Sequence, residues 1–97
     1  MNVQIYCGKK NFDAQKAERW FKERRIPFQA LDLKKHKLGE REIRLMISAI
    51  GMENLIDRED LLIPAIQENP WLLKVPIVRN GNRMTQGYRP EEWEKWE

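Results

Sequence analysis

The sequence predicts an α/β domain in which one four-stranded mixed sheet carries helices on both faces. Three observations predict this class. A β-prone segment, an amphipathic helical segment and a second β-prone segment follow one another within residues 3–33. Apolar residues at helical spacing dominate the middle of the chain. Two short β-prone runs flank Asn80-Gly81-Asn82 and precede a last helix, so the order is β-α-β, then helices, then β-β-α.

Size and composition limit the classes of protein that fit. The 97 residues suit one domain over 1–97, and 41% of them are apolar, which is enough for a modest core. The net charge is only +3 and the basic residues are scattered, so we expect no direct nucleic-acid binding. No apolar run approaches the roughly 20 residues of a membrane span. A single cysteine allows no internal disulfide. We therefore expect a cytoplasmic protein.

The first third of the chain predicts two parallel strands joined by a helix. Val3 to Tyr6 is β-prone, and residues 7–10 are predicted to be a loop. Asn11 or Asp13 can cap the following helix, which ends at Arg24-Arg25. Residues 26–33 form the second predicted strand, and a right-handed crossover would make it parallel to the first.

The remaining elements follow from apolar spacing, prolines and turn signals. The 39–50 segment has an apolar stripe and Gly51 as its predicted end. A short turn over 52–57, a helix over 60–68 and one helical turn from Pro70 are predicted next. Residues 76–79 and 83–86 are the strands of a predicted hairpin, and Pro90 opens the last helix.

Several segments resemble the arsenate reductase/Spx family of thioredoxin-fold proteins. The similar segments cover most of the chain, whereas residues 38–60 are short and match poorly. The similar segments are Gln4-Ile5-Tyr6, residues 15–23, Ile26-Pro27-Phe28 with Asp32-Leu33, residues 68–78 (ENPWLLKVPIV) and Gln86-Gly87-Tyr88. The resemblance implies a thioredoxin-like fold, similar to that of glutaredoxins, in a protein of bacterial type. It also implies that the chemistry of the family is thiol-dependent reduction.

In that family a nucleophilic cysteine stands at the start of the first helix, where the helix end stabilises a thiolate. Counted from Tyr6, this position is Asn11, and the second position of a Cys-x-x-Cys pair is Ala14. The resemblance also implies an arginine before the proline of the third strand, where this chain has Val75. Asparagine can cap the helix but cannot form a mixed disulfide.

Cys7 is the only candidate thiol, and it stands four residues before the family position. It can be a small packing residue at the end of a strand. It can also be a displaced nucleophile assisted by Lys9 and Lys10. Both interpretations stay open from the sequence.

The resemblance further implies that Val75-Pro76 is a cis peptide bond that faces the start of the first helix and shapes a groove. The residues expected to line this groove, or to contact an anion there, are Lys9, Lys10, Asn11, Phe12, Val75 and Pro76. Trp20 and Trp71 are predicted to be core residues, and Trp93 and Trp96 are either core residues or an exposed pair. His36 is expected to be a solvated loop residue, and no metal site is predicted.

Three functions remain open. The first is a redox-inactive binding or regulatory module, for which the resemblance implies a protein partner; RNA polymerase is the partner of Spx-like relatives. The second is an oxidoreductase that uses Cys7 with glutathione or another thiol as cosubstrate and has no bound cofactor. The third is a small-anion binder at the start of the first helix, near Lys9, Lys10 and Lys16.

Overall fold

The computed structural model describes residues 2–8, 11–58 and 60–96. Four strands form one sheet in the order β2-β1-β3-β4. They are β1 (Val3–Cys7), β2 (Phe28–Asp32), β3 (Ile77–Asn80) and β4 (Arg83–Gln86). The β1–β2 pair is parallel, and the other two pairs are antiparallel, as the predicted mixed sheet requires.

Helices cover both faces of this sheet. They are α1 (Phe12–Glu23), α2 (Glu40–Ile50), α3 (Met52–Leu55), α4 (Ile63–Glu68) and α5 (Pro90–Trp93), with 3₁₀ turns at Pro70–Leu72 and Glu94–Trp96. The predicted order of elements is therefore confirmed.

One core lies between the sheet and helices α1 and α5. Val3 and Ile5 of β1 and Val78 of β3 point to this side because side chains alternate along a strand. Helix α1 covers them with apolar residues at helical spacing, and Trp93 and Trp96 complete the cluster. The other members are Ala17, Trp20 and Phe21. Trp93 and Trp96 are thus core residues.

The second core lies on the opposite face, under α2, α3 and α4. Tyr6 and Ile77 come from the sheet, and Ile43 and Met46 come from the predicted stripe of α2. Helix α2 ends at Gly51, whose φ of 96° is a left-handed backbone conformation that favours glycine. The predicted cap is therefore confirmed.

Helix α4 begins later than predicted. The sequence predicts a start near Asp60, but the first helical residue is Ile63. A helix from Asp60 would need the N–H of residue 64 for an internal hydrogen bond, and Pro64 has none. A start at Ile63 places Pro64 in the first turn, where this N–H has no partner in any case.

Two further local predictions were inexact. The hairpin turn consists of Gly81-Asn82, since Asn80 and Arg83 already face each other as the last pair of β3 and β4. Trp71 is not a core residue: 49% of it is exposed, because it lies on the outer side of a single 3₁₀ turn. Among the described residues, no helix is long and apolar enough to cross a membrane.

Candidate functional site

Asn11 joins the start of α1 to the loop before β3. Its side-chain oxygen Oδ1 accepts a hydrogen bond from the N–H of Ala14 at 3.0 Å, so of the two predicted candidates, Asn11 and Asp13, Asn11 is the cap. Its Nδ2 donates to the carbonyl oxygen of Val75 at 3.3 Å. Both functions of the amide are therefore used, one within the helix and one across 64 residues of sequence.

The loop that Asn11 contacts contains the cis peptide bond between Val75 and Pro76, as predicted. The carbonyl oxygen of Pro76 accepts a hydrogen bond of 2.8 Å from the N–H of Gly87, just after β4. The loop is thus fixed between the start of α1 on one side and the end of β4 on the other.

Three exposed aromatic residues, Phe12, Trp71 and Tyr88, lie in or next to the segments that meet at this junction. Phe12, the first residue of α1, is 81% exposed. One helical turn later, the Lys16 ammonium lies 5.9 Å from the centre of the Tyr88 ring, and this ring is also partly exposed. Trp71 and Val75 line a small cavity of about 30 Å³. For the groove that the resemblance implies at this junction, we use the name aromatic groove and take Phe12, Trp71, Val75, Pro76 and Tyr88 as its candidate residues.

Cys7 is the last residue of β1 and is half-buried. Its Sγ lies 3.7 Å from the carbonyl oxygen of Leu31, to which the thiol can donate. A cavity of about 280 Å³ beside it is lined by both Asn11 and two acidic residues, Glu18 and Asp32. Burial first, and then the negative charges of Glu18 and Asp32, raise the pKa of the Cys7 thiol.

A raised pKa favours the protonated thiol, which is a weaker nucleophile than the thiolate. Cys7 thus shares a cavity with Asn11 at the start of α1, and the charged groups that affect its pKa among the described residues are the acidic Glu18 and Asp32. The expected contributions of Lys9 and Lys10 lie outside the described residues.

A polar cluster on the α2 side of the sheet was missed by the sequence reasoning. The Tyr6 hydroxyl donates to Glu42 Oε2 at 2.7 Å, and Nε2 of His36 lies 3.1 Å from the same oxygen. Arg79 Nη1 donates to the Tyr6 oxygen at 3.4 Å, and the N–H of Gly39 donates to Glu42 Oε1 at 2.9 Å.

His36 was expected to be a solvated loop residue, and this was wrong. Its side chain is 30% exposed, and its ring packs edge-on against Tyr6 at 5.9 Å. The partners come from distant parts of the chain, so no local spacing indicates the contact. One part of the cluster could be predicted locally. An acidic residue at the third position of a helix can accept a hydrogen bond from the backbone N–H of the residue before the helix, as Glu42 does from Gly39.

Burial raises the pKa of Tyr6 to about 12, against the opposing hydrogen bond from Arg79. For Glu42, burial also acts to raise the pKa, but hydrogen bonds from Gly39, Tyr6 and His36, together with the charge of His36, lower it below its ordinary value. The cluster therefore holds a protonated phenol against an ionised carboxylate. Within residues 2–8, 11–58 and 60–96, no group of side chains could hold a metal ion.

Comparison with known proteins gives the relationships of this chain. A model of the ArsC family matches residues 48–96, which is half of the chain. The regulator Spx of Enterococcus faecalis is 26% identical over 108 aligned positions, covering 93% of this chain and 82% of that protein. Global transcriptional regulator Spx 2 of Lactococcus lactis is 29% identical with the same coverage.

Solved structures agree on the fold. An ArsC family related protein from Bacteroides fragilis superposes with a TM-score of 0.79 at 20% identity over all of both chains. An arsenate reductase from Vibrio cholerae gives 0.78 at 18% identity, covering 98% of this chain and 97% of that one. The glutaredoxin-like NrdH-redoxin of Escherichia coli gives 0.57 at 14% identity, with 100% and 96% covered. With its mixed sheet, its cis-proline loop and a family match over half its length, this chain belongs to the ArsC family and has a thioredoxin-like fold.

Proposed function

We propose that this chain is a redox-inactive member of the ArsC family that binds a segment of a partner protein in the aromatic groove. The observation that carries the proposal is the double hydrogen bonding of Asn11. Its amide caps α1 and is tied to Val75, at the helix start where the family's nucleophilic cysteine is expected. An amide in this position stabilises the fold but cannot form a thiolate or a disulfide.

The surroundings of the loop support binding rather than reduction. Val75 stands where the resemblance implies an arginine for arsenate chemistry, so that the loop lacks the cation which would hold the oxyanion. Exposed aromatic rings instead line the groove, and such rings supply large contact areas in protein interfaces. Two of the relatives are global transcriptional regulators, which fits a binding role.

The alternative function, a thiol- or glutathione-dependent reductase that uses Cys7, has less support. Its thiol faces two carboxylates, and its pKa is raised rather than lowered. A small-anion binder at the same helix start is also less favoured, because Glu18 and Asp32 beside Cys7 repel anions.

The test compares the pKa of the natural thiol, Cys7, with the pKa of a cysteine introduced at position 11, where the family has its nucleophile. Alkylation by iodoacetamide is measured against pH for the natural chain and for the double variant Cys7→Ser/Asn11→Cys. We expect Cys7 to react with an apparent pKa above about 8.5, the ordinary value for cysteine. We expect the cysteine at position 11 to show a pKa lower by at least about one unit, because it faces the start of α1.

Cys7→Ser alone is the control, since it should show no alkylation and an unchanged amide spectrum. A depressed pKa at Cys7 in the natural chain would contradict the proposal and favour the reductase. An ordinary pKa at position 11 in the folded double variant would also contradict it, because Asn11 would then not occupy the activating position.

A further inference from the structure

Strand β4 is an edge of the sheet, and half of its backbone N–H and C=O groups point away from the neighbouring strand β3. The β3–β4 hairpin has a two-residue turn, so Asn80 and Arg83 exchange both of their backbone hydrogen bonds. Alternation along the ladder makes Val78 and Thr85 the next such pair. The N–H and C=O groups of Met84 and Gln86 therefore point outward, toward the side on which the described residues form no further strand.

This edge is the floor of an open groove. One cavity of about 280 Å³ lies beside β4 and is also lined by Ala49 and Ile50 at the end of α2 and by Asn54 of α3. A second, of about 460 Å³, shares Ala49 and Glu92 with the first and reaches Trp96 in the last 3₁₀ turn. We call the combined space the β4 groove. It shares no lining residue with the cavities beside Cys7 and Val75.

The charge of the β4 groove is positive. Three basic side chains line it, Arg83, Arg89 and Lys95, against the single carboxylate of Glu92. Lys95 Nζ lies 3.6 Å from Glu92 Oε1, so this pair is largely neutral, and Arg89 Nη1 lies 3.8 Å from Glu91 Oε1, which partly offsets its charge. Arg83 is exposed at the edge, and among the described residues it is in no salt bridge.

This charge also argues against a second copy of the chain as the occupant. Two β4 strands paired about a two-fold axis would double the positive charge of this edge without supplying a carboxylate to compensate it. An extended segment with carboxylates at alternate positions brings negative charge to Arg83 and satisfies the outward backbone groups at the same time.

We propose that the β4 groove binds an acidic, extended segment of a partner protein, which adds a fifth strand to the sheet beside Met84 and Gln86. The main-chain hydrogen bonds supply affinity, and the surplus positive charge selects an acidic sequence. This surface is separate from the aromatic groove, so the proposal goes beyond the proposed function and can fail or succeed independently of it.

The experiment uses capped peptides of about eight residues, long enough for one strand, in which valine alternates with glutamate. The full chain labelled with ¹⁵N is titrated with this peptide, and amide exchange is measured. We expect exchange at Met84 and Gln86 to slow by at least about tenfold on saturation, because their N–H groups become hydrogen-bonded. Arg83 and Thr85 already pair with β3 and should change little.

Two pairs of variants test the backbone and the charge separately. Gln86→Pro removes the outward N–H and should abolish binding, whereas Gln86→Ala keeps it and should bind normally. Arg83→Glu should weaken binding by about fivefold, since exposed charge pairs are individually weak. Arg41→Glu makes the same change of charge near the far end of α2 and should leave the affinity unaltered. The second pair remains informative if the proline variant does not fold.

Three outcomes would overturn the proposal. No response at Met84 and Gln86 up to about 1 mM peptide would mean that the edge does not accept a strand. Equal affinity for the peptide with lysine in place of glutamate would remove the charge selection. Protection that rises with protein concentration alone would identify a second copy as the occupant.

Discussion

The half-buried carboxylate of Glu42 makes three polar contacts. Tyr6 and His36 both reach its Oε2, and the N–H of Gly39 reaches its Oε1. The hydrogen bonds favour the charged form and overcome the cost of burial, which is why the pKa of Glu42 is lowered. This single side chain therefore joins β1, the loop after β2 and the first turn of α2.

From the lowered pKa of Glu42 we predict how the stability of the fold depends on pH. A carboxylate with a lower pKa in the folded state adds stability above its unfolded value of about 4.3, and this stability is lost as the pH falls through the folded pKa. We expect Glu42→Gln to reduce the melting temperature at pH 7. We also expect it to reduce the difference in melting temperature between pH 7 and pH 3. Thermal unfolding followed by circular dichroism at both values measures this.

Glu40→Gln is the matched control for that measurement, because Glu40 belongs to the same helix but pairs with Arg44 on the surface. Equal pH dependence of the two variants would show that the cluster around Glu42 does not stabilise the fold. The Tyr6 hydroxyl adds a second limit: since burial raises its pKa to about 12, stability should also fall as the pH rises above about 10.

Helix α1 is the element whose start organises the candidate site. Asn11 supplies the cap, and the same residue holds the loop that contains the cis-proline. The cap could be predicted from the sequence, because asparagine before an amphipathic segment is a strong local signal. The tie to Val75 could not, since the register of two segments that are distant in sequence depends on the tertiary fold.

The two roles of Asn11 can be separated by substitution. We expect Asn11→Ala to cost about 1 kcal/mol of unfolding free energy from the lost cap, with a further loss from the Val75 contact. Asn11→Ser keeps an acceptor for the N–H of Ala14 but cannot reach Val75 in the same way, so it should cost less than alanine. Urea unfolding of the three chains measures both differences, and equal stability of alanine and serine variants would rule out a capping role.

At the scale of the whole molecule, the fold class and the order of elements could be predicted, because periodicity and turn signals are local. The predicted start of α4 and the predicted burial of Trp71 were wrong for different reasons. The start of α4 is set locally by Pro64, whose missing N–H fits only the first turn of a helix. The exposure of Trp71 depends on how a single 3₁₀ turn is oriented, and apolar composition alone does not determine this. The prediction that His36 is a solvated loop residue was wrong because His36 contacts Glu42, which lies on another element of the fold, and no local pattern indicates this contact.

Trp93 connects three parts of the molecule. It is fully buried, its ring lies 5.4 Å from Trp20 and 5.1 Å from Phe21, and its Nε1 donates to Thr85 Oγ1 of β4 at 2.8 Å. The last helix is thereby attached both to α1 and to the edge of the sheet.

We expect Trp93→Ala to destabilise the chain by about 3–5 kcal/mol, through the cavity it leaves and the lost hydrogen bond. Trp71→Ala should change the stability by less than about 1 kcal/mol, because half of that side chain is already exposed. Chemical unfolding of the two variants measures the contrast. Similar losses would mean that the last helix is not anchored by Trp93.

The alternation of side chains along β1 has a practical consequence for studies of its dynamics. Ile5 and Tyr6 are neighbours in sequence, yet the first belongs to the interior beneath α1 and the second to the interior beneath α2. Spectroscopic labels at these adjacent positions would report on separate halves of the protein. Loosening of one half, on binding or on acidification, could then be observed while the other stays ordered.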